Sequence, residues 1–94
     1  MSIKSFACTD TGNLFNDERG TGIPNQIAKR ARKKLLLIHA AKNVIDLRIP
    51  PGNRLEKLSG DRTGQYSIRI NDQHRVCFAF RNGDAFQVEI VDYH

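Results

Sequence analysis

Three segments in the second half of the chain alternate between apolar and polar residues. They read QYSIRI, HRVCFAF and AFQVEIV, and in each the apolar stripe falls on even-numbered residues. Such alternation is typical of strands with one covered face, because successive side chains point to opposite sides of a sheet. The pattern therefore predicts an antiparallel sheet with the following residues toward the core: Tyr66, Ile68, Ile70, Val76, Phe78, Phe80, Phe86, Val88 and Ile90.

The same alternation predicts the loop between the last two strands. Facing residues of an antiparallel hairpin must lie on the same side of the sheet. A two-residue turn at Asn82-Gly83 would place Phe78 opposite Gln87 and break the pattern. A three-residue loop, Arg81 to Gly83 with a left-handed glycine, places Phe78 opposite Phe86, and we predict that loop.

The predicted registers bring arginines together on the outward side of the sheet. Ile68 pairs with Val76, so Arg69 falls opposite Arg75, and Arg75 falls opposite Glu89. Two facing arginines repel each other, which destabilises a bare sheet. The arrangement becomes favourable around a bound phosphate.

The first half of the chain predicts two helices. From Pro24, as the first helical residue, to about Lys42, apolar residues recur at three- and four-residue steps, as in an amphipathic helix. Leu36 and Leu37 widen that face, and VIDL adds one further turn. The buried face is predicted to contain Ile27, Ala31, Leu35 and Ile38.

A shorter helix is predicted earlier, with Thr9 or Asp10 as its N-cap and its end at RGTG. An opening strand is predicted at SIKSF, and a further strand at RLEKL, after the rigid IPPGN loop. The chain is therefore expected to be a single α+β domain over residues 1–94. A strand and two helices come first, and an antiparallel sheet covered on one face follows.

Composition limits the class of partner. The 94 residues carry a net charge of +5, so phosphate backbones, acidic proteins and anionic membranes are candidates. No apolar run approaches the roughly 20 residues of a membrane span and no secretory segment opens the chain, which predicts a cytoplasmic protein. Cys8 and Cys77 are predicted to be buried thiols, and no spacing of Cys or His suggests a metal or another cofactor.

Three stretches together resemble a known family. They are IKSF at the start, RLEKLSGDRTGQYSIRINDQHRVCF in the middle and EIVDYH at the end. The chain is similar over nearly its whole length to the HigB-type (host inhibition of growth) toxins of the RelE/ParE toxin–antitoxin superfamily. The resemblance implies a ribosome-dependent endoribonuclease that cuts messenger RNA in the 30S A site. It also implies a neighbouring helix-turn-helix, HigA-like antitoxin, whose complex with the toxin binds operator DNA.

The resemblance also implies site residues. In relatives, cleavage is linked to the residues that match Arg75, Asp92, Tyr93 and His94. His94 is a candidate acid or base, because an imidazole has an ordinary pKa of about 6.5. Tyr93 is a candidate platform on which a nucleotide base can stack. Asp92 is an even-numbered residue of the last strand, so its side chain is predicted on the core side of the sheet. It is therefore expected only to orient other groups.

One departure from the family lowers the expected activity. Relatives often carry a histidine and a lysine where this chain has Glu56 and Ser59. Glu56 is then the candidate carboxylate base, and nearby cations are candidates to replace the lost charge. The expected RNA-binding residues are Arg69, Lys57, Arg54, Arg62, Lys29, Arg30 and Lys33.

Plainer interpretations stay open at this point. On these interpretations the polar chain end is only solvated, and Arg69 and Arg75 are surface residues paired with Glu89. The basic helix face, Lys29 to Lys34, is then only solvated, and the functional alternative is contact with ribosomal RNA or an acidic antitoxin. Two other functions also remain. One is a ParE-like gyrase inhibitor, and the other is a nucleic-acid-binding regulatory module without catalysis.

Overall fold

The structure is a computed structural model that describes residues 1–17 and 21–92. Within these residues two α-helices precede a four-stranded antiparallel sheet of order β1-β2-β3-β4, which confirms the predicted α+β class. No helix in the described part of the chain is long and apolar enough to cross a membrane. The elements are α1 (Thr9–Phe15), α2 (Asn25–Ala40), β1 (Glu56–Lys57), β2 (Gln65–Arg69), β3 (His74–Arg81) and β4 (Asp84–Asp92), with 3-10 turns at Val44–Arg48, Pro51–Asn53 and Gly60–Arg62.

Helix α2 packs its predicted apolar face against the sheet. Its four expected core residues are all buried, in one cluster with Ile68, Ile70, Val76, Phe78 and Val88. Tyr66 and Ile90 are partly buried against this cluster, whereas Phe80, which was also predicted toward the core, is only half-buried beside the β3–β4 turn. Leu36 and Leu37 were wrongly assigned to this face, since they are 41% and 37% exposed. Each helical residue turns about 100° from the one before it, which carries these two leucines away from the buried stripe. The central core comprises Ala31, Leu35, Ile38, Ile68, Val76, Phe78 and Val88.

The ends of the predicted helices need correction. Cys8, and not Thr9 or Asp10, is the N-cap of α1, with no side-chain cap bond. This helix stops at Phe15, earlier than predicted, and Asp17 beyond it adopts a left-handed backbone (φ 59°) that cannot continue a helix. Pro24 is the N-cap of α2 and not its first helical residue, because its ψ of 133° is extended.

Neither short strand forms as predicted: the segment SIKSF, within the described residues, forms no strand, and the strand expected at RLEKL has only two residues. The opening segment makes two isolated parallel bridges to β4, from Ile3 to Ala85 and from Phe6 to Val88. Between these two partners Gln87 has a positive φ of 52°, which interrupts the ladder on that edge of β4. Strand β1 begins only at Glu56, because Arg54 has a left-handed backbone.

The hairpin between β3 and β4 contradicts the predicted three-residue loop. Arg81 pairs with Asp84, so the turn consists of Asn82 and Gly83 alone, both with positive φ. The apolar pattern survives because a β-bulge at Gln87 adds one residue to β4.

The bulge changes which residues of β4 face β3. Val76 lies opposite Ile90, and Arg75 lies opposite Val91, not opposite Val88 and Glu89 as predicted. On the turn side of the bulge Ala85 is fully buried, and Phe86 is only half-buried. Phe86 lies beneath the guanidinium of Arg81, 4.8 Å from its ring centre. The β2–β3 register is as predicted.

Candidate functional site

We call the sheet face opposite α2 the outer face. One row of residues on this face is paired across all four strands. Glu56 pairs with Ser67, Ser67 with Cys77, and Cys77 with Glu89. The next row contains Arg69, Arg75 and Val91, as strand pairing requires. The facing of Arg69 and Arg75 was predicted correctly from the alternation of β2 and β3.

Arg75 is the most firmly held side chain of the outer face. Only 8% of the residue is exposed. Its Nε donates to Ser67 Oγ at 2.8 Å, and its Nη2 donates to the carbonyl oxygens of Arg54 at 2.5 Å and Ser67 at 3.4 Å. Its Nη1 lies 3.9 Å from Glu56 Oε1. Because these contacts hold three sides of the planar guanidinium, its orientation is set before any ligand arrives.

The carbonyl oxygen of Arg54 reaches Arg75 because the backbone reverses there. Arg54 has φ 44° and ψ 58°, a left-handed conformation at the end of the Pro51–Asn53 turn. The fully buried Asn53 fastens that turn, since its Nδ2 donates to the carbonyl oxygen of Leu47 at 3.1 Å. The IPPGN loop therefore positions the guanidinium as well as connecting helix to sheet.

Three arginines line one open cleft of about 350 Å³, which we call the arginine cleft. Arg69 forms an ion pair with Asp72, whose side chain is 98% exposed. Surface ion pairs of this kind are weak, so an incoming phosphate can compete for Arg69. The lining residues are Arg54, Arg69, Asn71, Asp72 and Arg75.

Glu56 lies beside this cleft, and the remaining predicted cations of β1 and its turn lie farther along. Glu56, Lys57 and Arg62 line a second cavity of about 320 Å³ together with Ser59. The side chain of Arg62 binds Glu89 at 2.8 Å and Gln65 at 3.0 Å. The structure thus brings Arg54, Arg69 and Arg75 together and assigns Lys57 and Arg62 to a neighbouring surface.

The predicted cations of α2 are exposed on the helix. Lys29, Arg30 and Lys33 line one shallow cavity with Gln26. Arg30 Nη1 also donates to the carbonyl oxygen of Ile70 at 3.4 Å, one residue beyond Arg69. This contact connects the basic helix face to the rim of the sheet.

The C-terminal residues of the predicted site are described only in part. Asp92 pairs with His74 at the end of β4, and its Oδ2 accepts a hydrogen bond from Gln73. Its parity differs from that of Val91, as expected for a residue outside the Arg69–Arg75 row. Tyr93 and His94 lie outside the described residues.

Cys77 lies in the middle of the outer face and is fully buried. Burial raises the pKa of its thiol, Glu89 raises it further, and Arg62 and Arg75 act in the opposite direction. Both cysteines are free, although Cys8 is only half-buried and not buried as predicted. Within the two described ranges, no three His, Cys, Asp or Glu side chains are grouped as metal ligands would be.

Ser67 was not identified from the sequence as a site residue, and Lys34 was assigned only to the basic face of the helix. Ser67 holds Arg75 from the neighbouring strand, and Lys34 lines a basic groove with Arg30 and Arg69. Ser67 and Arg69 are both odd-numbered residues of β2, so strand alternation alone predicts that both lie on the outer face. No local pattern indicates that Lys34 turns toward Asn53, whose Oδ1 accepts a hydrogen bond from Lys34 Nζ at 2.5 Å.

Comparison with solved structures assigns the fold to a class of toxins. The chain resembles the toxin–antitoxin complex YoeB-YefM from Staphylococcus aureus, with a TM-score of 0.58 and 19% identity over 100% of this chain and 97% of that one. It also resembles the YoeB/ParE toxin from Agrobacterium tumefaciens, with a TM-score of 0.53 and 17% identity over 100% of this chain and 99% of that one. At these identities the likeness shows the fold alone, which is that of the YoeB/ParE toxins.

Sequence comparison narrows this class to one family. A family model described as a RelE-like toxin of type II toxin-antitoxin system HigB matches residues 4–94. Toxin HigB-1 of Vibrio cholerae is 44% identical over 70 residues, which is 74% of each chain. Endoribonuclease HigB of Proteus vulgaris is 35% identical over 96 residues, 98% of this chain and 99% of that one. The chain belongs to the HigB-like family of toxins from type II toxin–antitoxin systems, which confirms the predicted resemblance.

Proposed function

We propose that this protein is an endoribonuclease toxin that cuts messenger RNA in the A site of the ribosome and so stops translation in the cytoplasm. The observation that carries the proposal is the arginine cleft, with Arg75 fixed by protein contacts and Glu56 beside it. The family match and the relative from Proteus vulgaris, Endoribonuclease HigB, support the reaction. The whole chain acts as one toxin domain.

The proposed reaction uses the RNA's own 2′-hydroxyl. Its oxygen bonds to the adjacent phosphorus and loses its proton to a base, and the bond from phosphorus to the 5′ oxygen breaks as an acid protonates that oxygen. The products are a 2′,3′-cyclic phosphate and a free 5′-hydroxyl, and no step needs a metal. Negative charge on the phosphoryl oxygens grows during the reaction. Fixed cations stabilise this charge without having to reorganise.

Each residue has a distinct proposed role. Arg75 and Arg69 bind the scissile phosphate, and Glu56 accepts the 2′-hydroxyl proton. His94 protonates the leaving oxygen, Tyr93 stacks on a base, and Asp92 orients this chain end. The exposure of the Glu56 side chain, 55%, supports its role because the RNA must reach it.

The remaining cations guide the RNA. Arg54 borders the arginine cleft, while Lys57 and Arg62 extend the positive surface along β1. On α2, the exposed Lys29, Arg30 and Lys33 contact ribosomal RNA. Cations along one surface strengthen binding to a phosphate backbone and make it depend on salt.

The proposed regulator is a helix-turn-helix, HigA-like antitoxin that blocks the toxin. The complex of the two proteins binds its own operator DNA. Family membership supports an antitoxin partner, as does the solution of YoeB from Staphylococcus aureus in complex with YefM.

The test is cleavage of messenger RNA on purified ribosomes, read by primer extension. The wild type is expected to cut within the reading frame of translated messenger RNA and to leave free RNA largely intact. Arg75→Ala should lower the cleavage rate at least about a hundredfold, a typical cost of losing one preorganised charge-stabilising group.

Arg81→Ala is the matched control, because Arg81 is an exposed arginine on the same strand and outside the arginine cleft. It should cut at the wild-type rate. If the wild type stops growth without cutting ribosome-bound messenger RNA, the proposed reaction is wrong. DNA-damage signalling in those cells would then point to a gyrase inhibitor.

A further inference from the structure

A second groove separates α2 from the segment that contains Pro50 and Gly52. It has a volume of about 540 Å³, and we call it the α2 groove. Among its described lining residues four are cations and none is a carboxylate. The lining residues are Arg30, Lys33, Lys34, Leu37, Pro50, Gly52, Arg69 and Ile70.

The positive charges in this groove act on one another. The pKa of Lys34 is lowered by burial first, and then by the charges of Arg30 and Arg69. Lys34 Nζ donates to the neutral amide oxygen of Asn53, which does not cancel its charge. A bound anion would relieve this repulsion, so the groove favours a negatively charged occupant.

The α2 groove continues into an exposed apolar surface. Leu37 lines it and also lines an adjoining cavity of about 340 Å³ with Ile49 and Leu47. Ile49 is 76% exposed, which is unusual for a large aliphatic residue. The carboxylate of Asp46 in that cavity accepts hydrogen bonds from the backbone N–H groups of Lys42 and Asn43, so it is occupied within the chain.

We propose that the α2 groove and this adjoining apolar surface dock an acidic, apolar segment of the antitoxin, an inference that rests on the proposed toxin function. In the antitoxin complex, carboxylates of the segment pair with Lys34 and with Arg30 and Lys33, the two cations that contact ribosomal RNA when the toxin is free. The apolar side chains of the segment pack on Leu37 and Ile49. Single-stranded RNA fits this surface less well, because its bases stack on aromatic rings and the groove offers aliphatic ones. Charge and apolar character together select a protein segment.

The location of the groove gives this docking a consequence. Arg69 lines both the α2 groove and the arginine cleft. An antitoxin carboxylate on Arg69 therefore competes with the RNA phosphate, and Arg75 can stay uncovered. Antitoxin affinity should fall with added salt, because exposed charge pairs are screened.

The experiment measures, by isothermal titration calorimetry, the affinity of the full-length toxin for the antitoxin encoded in the same operon. The test variant is Leu37→Ser with Ile49→Ser, which removes apolar contact and adds no charge. The control variant is Leu36→Ser with Ile45→Ser, because these two residues are 41% and 59% exposed and lie outside both cavities. Circular dichroism checks that both variants fold.

The test variant should bind the antitoxin at least about tenfold more weakly, as expected when apolar anchors are truncated. Its ribosome-dependent cleavage should match the wild type, and the control variant should match in both assays. Unchanged antitoxin affinity in the test variant overturns the proposal. If the same variant instead loses ribosome binding, the groove is an RNA surface.

The two proposals fail separately in these assays. A wild type that binds the antitoxin through Leu37 and Ile49 and cuts no messenger RNA contradicts the nuclease function and leaves the docking surface standing. A wild type that cuts messenger RNA and does not bind the antitoxin at micromolar concentration contradicts the docking surface alone.

Discussion

Replacing Ser67 by alanine tests how Arg75 is held. Ser67 is fully buried, and its Oγ accepts the only hydrogen bond that the structure gives to Arg75 Nε within the described residues. Alanine fits the same space and removes the acceptor. Because Arg75 is only 8% exposed, water has little access to replace it. The substitution therefore leaves a charged N–H group buried and unpaired.

The size of the effect follows from that burial. An unsatisfied buried donor costs about 1–3 kcal/mol, and a charged one lies toward the upper end. The free energy of unfolding should fall by about 2–3 kcal/mol, which lowers the Tm of a domain this small by roughly 8–24 °C. The contacts from Arg75 Nη2 to the two carbonyl oxygens remain. The guanidinium should stay near its site but lose its fixed angle, which we expect to slow cleavage roughly tenfold to a hundredfold.

The assays are urea unfolding followed by circular dichroism and ribosome-dependent cleavage at saturating toxin. Cys77→Ala is the matched control, because Cys77 faces Ser67 across the strands and is equally buried. It should lose about 1 kcal/mol of stability through lost packing and keep its cleavage rate. Equal losses of cleavage in both variants would mean that packing alone matters, and wild-type stability and cleavage in Ser67→Ala would refute the reasoning.

Further outcomes are expected for the two cysteines, for Asn53 and for Gln87. At pH 8 a thiol reagent should label Cys8 in the folded protein and reach Cys77 only on unfolding. Because folding raises the pKa of Cys77, the stability that this thiol contributes is complete below the unfolded pKa of about 8.5 and is lost as pH rises through the folded pKa. Urea titrations at alkaline pH should find this loss in the wild type and not in Cys77→Ala. Asn53→Ala should lower the free energy of unfolding by about 2–3 kcal/mol in urea, because it leaves the Leu47 carbonyl oxygen without its amide donor. Gln87→Gly should raise the free energy of unfolding by about 0.5 kcal/mol, and the Tm slightly, because glycine adopts the left-handed backbone without strain. Gln87→Val should lower both quantities.

The sequence was informative where a structure depends on local repetition. The helical spacing from Ile27 to Ile38 identified the buried face of α2, and strand alternation identified the pairing of Ile68 with Val76. Side-chain period reports which face an element buries, because helix and strand geometry are regular. That regularity also brings Arg69 opposite Arg75 in the β2–β3 pairing.

The sequence failed where an irregular backbone determines the outcome. The left-handed Gln87 forms a bulge, so the hairpin uses the two-residue turn that the pattern had excluded. The left-handed Arg54 turns its carbonyl oxygen onto Arg75 from 21 residues away. A single residue outside the regular conformations shifts everything after it, and no period in the sequence records that shift.

By itself, then, the sequence determined the family, the α+β class, the main buried stripe of α2, the β2–β3 register and the pair of arginines that face each other. Only the tertiary structure showed that Ser67 and the Arg54 carbonyl hold Arg75, and that Leu37 lies in a basic groove shared with Arg69. The physical reason is that faces follow from local geometry, whereas hydrogen-bond partners and grooves arise where distant segments meet.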